Sequence, residues 1–124
     1  MLVAALVDSG PHGAWAESVL AGGSLYAPEL APAEATNIFR RLERAKLIAT
    51  PEANAARNDL MQLEIDLFPF EPFADRIWEL RHNATSYDAW YVALAEALKL
   101  PLATLDEPLS RSKGVACEFL RPGL

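Results

Sequence analysis

A single cysteine, Cys117, stands in the whole chain, together with only two histidines, His12 and His82. One cysteine excludes an internal disulfide and a thiolate cage of the kind that holds structural zinc. The lone thiol also fits a reducing, cytoplasmic setting. The two histidines have no ligand spacing around them and are expected at the surface. There is no glycine-rich phosphate loop, and Ser9, Ser18 and Ser110 lie in no nucleophile-elbow context. Long hydrophobic runs are missing too. The apolar opening, residues 1–7, stops at Asp8 and has no basic lead-in, so neither a signal peptide nor a membrane span is expected. Positive charge is in deficit: 11 Lys and Arg face 17 Asp and Glu, a net charge of −6. Such a balance excludes a protein that coats nucleic acid through its overall field. A nucleic-acid substrate would need a local basic patch or a metal to offset that charge.

What is present reads as one domain. The 124 residues are 52% hydrophobic and 23% charged, an ordinary composition for a folded chain with a real core. No repeat and no dividing linker interrupts it. Residues 12–21 read as an amphipathic helix with Trp15, Val19 and Leu20 inward, stopped by Gly22-Gly23. A short strand follows over 24–27, then a long helix over 29–46. In that helix Ile38, Phe39 and Leu42 recur at helical spacing, while Arg40, Arg41, Glu43 and Arg44 occupy the other sides. Thr50-Pro51 predicts the cap and first turn of a helix reaching residue 64. A strand over 65–70, a helix over 71–81 carrying Ile77, Trp78 and Leu80, and a helix from Thr85 or Ser86 to residue 99 come next. Strands over 101–105 and 115–120 complete the chain. This alternation predicts an α/β fold with a mostly parallel sheet covered on both faces.

The chemistry is carried by acids at element ends. Asp88 opens a helix within Ser86-Tyr87-Asp88-Ala89, and Asp106 ends the strand-like Thr104-Leu105-Asp106. In an open α/β sheet these positions converge on one rim, which Glu34, opening an earlier helix, can also reach. Each acid alone has a plain explanation. Asp88 and Glu34 complement a helix macrodipole, and Asp106 belongs to turn chemistry before Glu107-Pro108. Together, converging carboxylates without His or Cys partners suit a hard divalent cation bound by oxygen. Asn37 lies one turn beyond Glu34 on the same face. The aromatic residues Trp15, Trp78, Trp90, Tyr87 and Tyr91 are expected in the core or an interface rather than as a base-stacking platform. Val19, Phe39, Trp78 and Trp90 exceed what one small core needs and predict an apolar patch for a partner.

These residues resemble the PIN-domain family, in particular the VapC-type toxin ribonucleases of toxin–antitoxin pairs. The resemblance rests on Leu2-Val3-Ala4-Ala5-Leu6, on Pro32-Ala33-Glu34-Ala35-Thr36-Asn37, on Thr85-Ser86-Tyr87-Asp88-Ala89-Trp90-Tyr91-Val92-Ala93-Leu94-Ala95, and on Leu102-Ala103-Thr104-Leu105-Asp106. It spans nearly the whole chain in the expected order, as one PIN-like domain of three-layer α/β/α architecture over residues 1–124. It implies a Mg²⁺- or Mn²⁺-dependent endoribonuclease, held inactive by a cognate antitoxin and paired as a homodimer. Asp88, Asp106 and Glu34 would be the metal-holding acids, with Glu34 either a ligand or the base that orients the attacking water. Asn37, Ser86 and Thr104 would hydrogen-bond those carboxylates, and Arg40, Arg41, Arg44 and Arg111 would meet the RNA.

One departure carries an expectation of its own. The family begins with an apolar strand ending in Asp, whereas this sequence opens inside the helix that follows. Asp8 is a poor substitute, at the far end of that helix and ~10–15 Å from the site at the helical rise. Either an upstream strand ending in Asp precedes Met1, or the chain is a shortened form that cuts RNA weakly or not at all. The rival reading is accordingly a module that binds antitoxin or itself without cutting. A phosphotransfer receiver or a phosphatase ranks last, because the late lysine, Lys113, follows no clear strand.

Overall fold

The computed structural model describes residues 18, 21, 24–103 and 114–120. By the packing of the backbone the chain forms two compact units. One holds Leu30–Asp66, and the other holds Tyr26–Glu29 with the chain from Leu67 onward.

The first unit is built on two helices, α1 (Ala31–Arg44) and α2 (Thr50–Gln62). Pro32 sits in the first turn of α1, where its missing N–H costs nothing. Glu34 in that turn and Arg41 and Arg44 in the last one both complement the helix dipole. The helix buries Ala31, Ala35 and Phe39, four residues apart each time, so one stripe faces inward. Ala35 and Phe39 pack with Ala56 and Leu60 of α2, and Leu63 leans on the cluster. The alanines bring the backbones close and Phe39 fills the space between. The α1 helix ends at Ala45. Lys46 then takes a left-handed φ of 60°, and Leu47 N–H reaches back to the Leu42 carbonyl at 2.9 Å.

The cap of α2 corrects the expected frame by one residue. Ala49, not Thr50, is the N-cap, and Thr50 and Pro51 lie inside the first turn. The reason lies three residues on. The Ala49 backbone N–H donates to Glu52 Oε1 at 3.2 Å, so the acid satisfies the helix start without a capping hydroxyl.

Strand β1 (Leu25–Pro28) pairs with β2 (Ile65–Phe68) in a two-stranded sheet, and Tyr26–Pro28 and Leu67–Phe68 of these strands belong to the second unit. Glu29 N–H extends the pairing to the Phe68 carbonyl at 2.9 Å. Tyr26, Phe68 and Phe73 then form a chain of tilted and edge-on ring contacts, 6.1 and 6.3 Å between centroids. The single helix expected over 71–81 is a 3₁₀ turn, Glu71–Phe73, followed by helix α3, Ala74–Glu79. Pro72 in the 3₁₀ turn has no N–H to give, and a tight turn suits it.

Helix α4 (Ser86–Leu98) is the centre of this unit. Thr85 is its cap: Asp88 N–H donates to Thr85 Oγ1 at 3.1 Å. Ala89, Trp90, Val92, Ala93, Leu94 and Ala95 are all buried, so the helix is covered on most of its circumference. Ile77 and Leu80, 3% and 2% exposed, are the buried side of α3 and the turn after it. Trp78 is 65% exposed with the Arg81 guanidinium 4.4 Å from its ring, so of the two places expected for it, core or interface, the core is excluded. One residue from Ile77, it falls about 100° around the helix and cannot share that face. Phe39 and Trp90 are core residues, and Val19 lies outside the described residues.

Strands β3 (Leu102–Ala103) and β4 (Phe119–Leu120) pair in parallel, Leu102 opposite Phe119 and Ala103 opposite Leu120. Helix between strands and a parallel pairing are what the α/β class requires. The last strand is shorter than the expected 115–120 because Ala116 N–H is taken by Glu96 Oε2 at 2.7 Å and cannot join a ladder. No helix among the described residues is long and apolar enough to cross a membrane.

Candidate functional site

Two of the three expected acids fall within the described residues. Asp88 is the third residue of α4, half-buried, in the first turn above its Thr85 cap. Ser86 is exposed at the start of the same turn, so hydroxyl and carboxylate share one helix end. Glu34 is half-buried in the first turn of α1. Asn37, Arg41 and Arg44 follow it at spacings of three, seven and ten residues, which puts them on its side of the helix. All three are exposed, as is Arg40 at the margin of that face. Asp106, Thr104 and Arg111 lie outside the described residues. Among the described residues no three His, Cys, Asp or Glu side chains gather closely enough to hold a metal ion.

Two residues past Asp88, Trp90 is 9% exposed and meets the edge of Phe70 with ring centroids 5.5 Å apart. Its indole Nε1 is buried and has no hydrogen-bond partner among the described residues.

The strongest polar arrangement was not legible in the sequence. Arg76 of α3 forks onto Glu96 of α4, Nε to Oε1 at 2.7 Å and Nη2 to Oε2 at 3.0 Å. The same Nη2 donates to the Gly114 carbonyl at 2.6 Å, and Nη1 reaches Glu79 at 3.2 Å. The Arg76 hydrogen bonds hold the Glu96 carboxyl below its ordinary pKa against the opposing effect of burial, with the Ala116 N–H helping. The Arg76 guanidinium is shifted upward by the same partner. Cys117 sits half-buried nearby, its thiol pushed up by burial and then by the Glu96 charge. The one readable clue was the three-residue spacing of Arg76 and Glu79; the pairing with Glu96 bridges twenty residues. His82 is exposed, as expected. A shallow depression of about 500 Å³ at the α1–α2 turn, lined by Glu43, Lys46, Leu47 and Glu52 among others, contains none of the expected site residues.

Comparison with known proteins identifies the class. The PIN domain family matches residues 1–114, and the chain belongs to that family. Ribonuclease VapC1 of Mycobacterium tuberculosis is 42% identical over 94 residues, 75% of this chain and 71% of the relative. Ribonuclease VapC9 of the same organism is 34% identical over 115 residues, 93% of this chain and 87% of the relative. VapC ribonuclease Mb0985 of Mycobacterium bovis shows the same figures, 34% over 115 residues.

Proposed function

We propose that this chain is a divalent-metal-dependent endoribonuclease, the toxin of a toxin–antitoxin pair, acting as one PIN domain. The observation that carries the proposal is the combination of the PIN match over residues 1–114 with relatives named as ribonucleases across most of their length. The acids Glu34, Asp88 and Asp106 would hold the metal, Glu34 either as ligand or as the base that orients water.

The donor set fits a hard cation. Glu34 and Asp88 each offer carboxylate oxygens from the first turn of a helix. Cys117, whose thiol is pushed toward its protonated form, is no competitor for a softer metal. When bound, Mg²⁺ or Mn²⁺ supplies a water of lowered pKa and offsets charge on the phosphate under attack. Ser86, Thr104 and Asn37 would hydrogen-bond the carboxylates and fix their orientation. Arg40, Arg41 and Arg44 are exposed along α1, and with Arg111 they would give the acidic chain its local positive charge for RNA. A cognate antitoxin, a homodimeric state and a cytoplasmic location belong to the same reading, the last supported by the single unpaired cysteine.

The test is cutting of a defined RNA by the purified chain with Mg²⁺, with Mn²⁺ and with chelator. Metal-dependent cutting that Asp88→Asn abolishes supports the reading. RNA left intact by a folded chain that still captures a cognate antitoxin supports the non-cutting binding module instead. Cutting that persists in chelator and in Asp88→Asn overturns the site.

A further inference from the structure

Residues 114–120 belong to the second unit yet bury no side chain in it. Exposed and half-buried positions alternate along the segment, with Val115, Cys117 and Phe119 half-buried and the rest exposed. Helix α4, by contrast, buries Ala89, Trp90, Val92, Ala93, Leu94 and Ala95. A segment with so little apolar burial depends on its polar bonds to stay in place. Among the described residues those bonds fall into two groups. At the start of the segment, Arg76 Nη2 donates to the Gly114 carbonyl at 2.6 Å, and the Ala116 N–H donates to Glu96 Oε2 at 2.7 Å. Towards its end, Leu102 N–H donates to the Glu118 carbonyl at 2.8 Å, and β4 continues the pairing with β3. A pairing of two residues on each strand is marginal by itself. The first group is stronger in kind. The Arg76 and Glu96 side chains are 33% and 14% exposed, and two bonds join them, Nε to Oε1 at 2.7 Å and Nη2 to Oε2 at 3.0 Å. A sheltered fork of this sort holds its direction as well as its distance, which an exposed ion pair does not.

We infer that residues 114–120 form a strap that opens and closes as one unit, with the Arg76–Glu96 pair as its latch to α3 and α4. Each member of the pair also holds the strap backbone: Glu96 Oε2 accepts from both Arg76 and Ala116, and Arg76 Nη2 donates to both Glu96 and Gly114. Lifting the strap therefore removes one bond from each member of the pair and, through β4, frees the Leu102 N–H on β3. Gly114 fixes how the strap begins. Its φ of +80° is left-handed, and an added Cβ would meet Asn83 Nδ2 at 3.5 Å, so backbone strain rather than space restricts this position to glycine. The open strap is a state distinct from unfolding of the unit, because the buried residues of α4 belong to none of its bonds. The inference needs none of the acids assigned to the proposed chemistry.

The experiment is amide hydrogen exchange on the full chain, resolved by NMR and repeated at low urea concentrations. In the unaltered chain the Ala116 and Leu102 amides should share one opening equilibrium, with little urea dependence, and exchange faster than the amides of Val92–Ala95. Arg76→Gln and Glu96→Gln should speed exchange about 10-fold or more at both Ala116 and Leu102, the factor expected for losing a hydrogen bond to a charged group. The effect at Leu102 is the telling one, since neither Arg76 nor Glu96 bonds to it. Arg76→Lys, which keeps the charge and loses the fork, should fall between, and Gly114→Ala should speed both amides by about 10-fold through strain alone. Leu94→Ala is the control. Leu94 is 3% exposed and lies two residues from Glu96, about 200° around α4. Its truncation should speed exchange in α4 and leave Ala116 and Leu102 unchanged. If Arg76→Gln or Glu96→Gln fails to fold by circular dichroism, Arg76→Lys and Gly114→Ala decide the matter. Faster exchange at Ala116 with none at Leu102 overturns the strap as a unit. Acceleration of Ala116 and Leu102 by Leu94→Ala to the same extent as α4 shows that they open only with the whole unit, and overturns the latch.

Discussion

Replacing Asp88 by asparagine separates the two roles open to an acid at this position. As a helix-start residue, Asp88 contributes charge against the amino-terminal end of α4, worth about 0.3–1 kcal/mol. Asparagine keeps the size and a carbonyl oxygen, and the 3.1 Å bond from the residue-88 N–H to Thr85 Oγ1 is made by backbone and survives the change. The share of the structural cost that comes from the dipole is thus about 1 kcal/mol or less, a fall in Tm of roughly 3–6 °C for a domain of this size. As a metal-holding group the same residue is worth far more, because misplacing a reacting water by about 1 Å costs on the order of a hundredfold in rate. Asp88→Asn should therefore stay folded at assay temperature and lose cutting by at least that factor. Thr85→Ala is the matched comparison. It removes the cap for about 1 kcal/mol, a similar shift in Tm, and should leave cutting within a few-fold of the unaltered chain. Thermal melts by circular dichroism and initial rates on one RNA at fixed Mg²⁺ give both quantities. If the two variants lose stability alike and retain cutting alike, Asp88 is a capping acid and nothing more.

Further expectations follow from packing and charge. Leu80→Ala should cost about 2–5 kcal/mol by urea denaturation, since the side chain is 2% exposed, whereas Trp78→Ala at 65% exposure should cost about 1 kcal/mol or less including its contact with Arg81. A larger loss at Trp78 would show that its face is buried in solution. The Glu96 carboxyl has its folded pKa depressed, so its contribution to stability is complete above the unfolded value of about 4.3 and is lost as pH falls through the lower folded value. The stability gap between the unaltered chain and Glu96→Gln should accordingly hold steady from pH 7 to 5 and narrow below about pH 4. A gap that widens on acidification would contradict the pairing with Arg76. Lys99 caps α4 at a φ of 55°, and Lys99→Gly should raise the denaturation midpoint by up to about 1 kcal/mol equivalent. A lowered midpoint would mean that the lysine side chain earns its place there.

The fold was legible wherever local signals acted alone. Helix α1 announces itself through Pro32, Glu34 and the spacing of the residues around Phe39, and its observed ends fall within two residues of the expected 29–46. Helix α4 was equally clear, because Thr85, Asp88 and the alanine-rich run that follows all favour the same structure. Expectation and structure part where a distant residue intervenes. The strand expected over 115–120 shrinks to Phe119–Leu120, since Ala116 gives its N–H to a carboxylate twenty residues away. Trp78 stood between core and interface for a different reason: in a six-residue helix, one position of phase moves a side chain from core to solvent, and three apolar residues in four do not fix that phase.

The candidate site divides along the same line. Asp88 and Glu34 stood out because an acid in a helix's first turn is a local feature, visible in any sequence that can be framed into helices. The Arg76–Glu96 pair has no such frame. Neither residue sits at an element start or in a motif, and what joins them is the packing of α3 on α4. The pairing joins side chains twenty residues apart, and its further bonds go to the backbone of Gly114 and Ala116, groups that any residue type provides and that therefore leave little trace in the sequence. A helix-start acid is read from its own element, whereas an ion pair between two elements becomes visible only after the chain is folded.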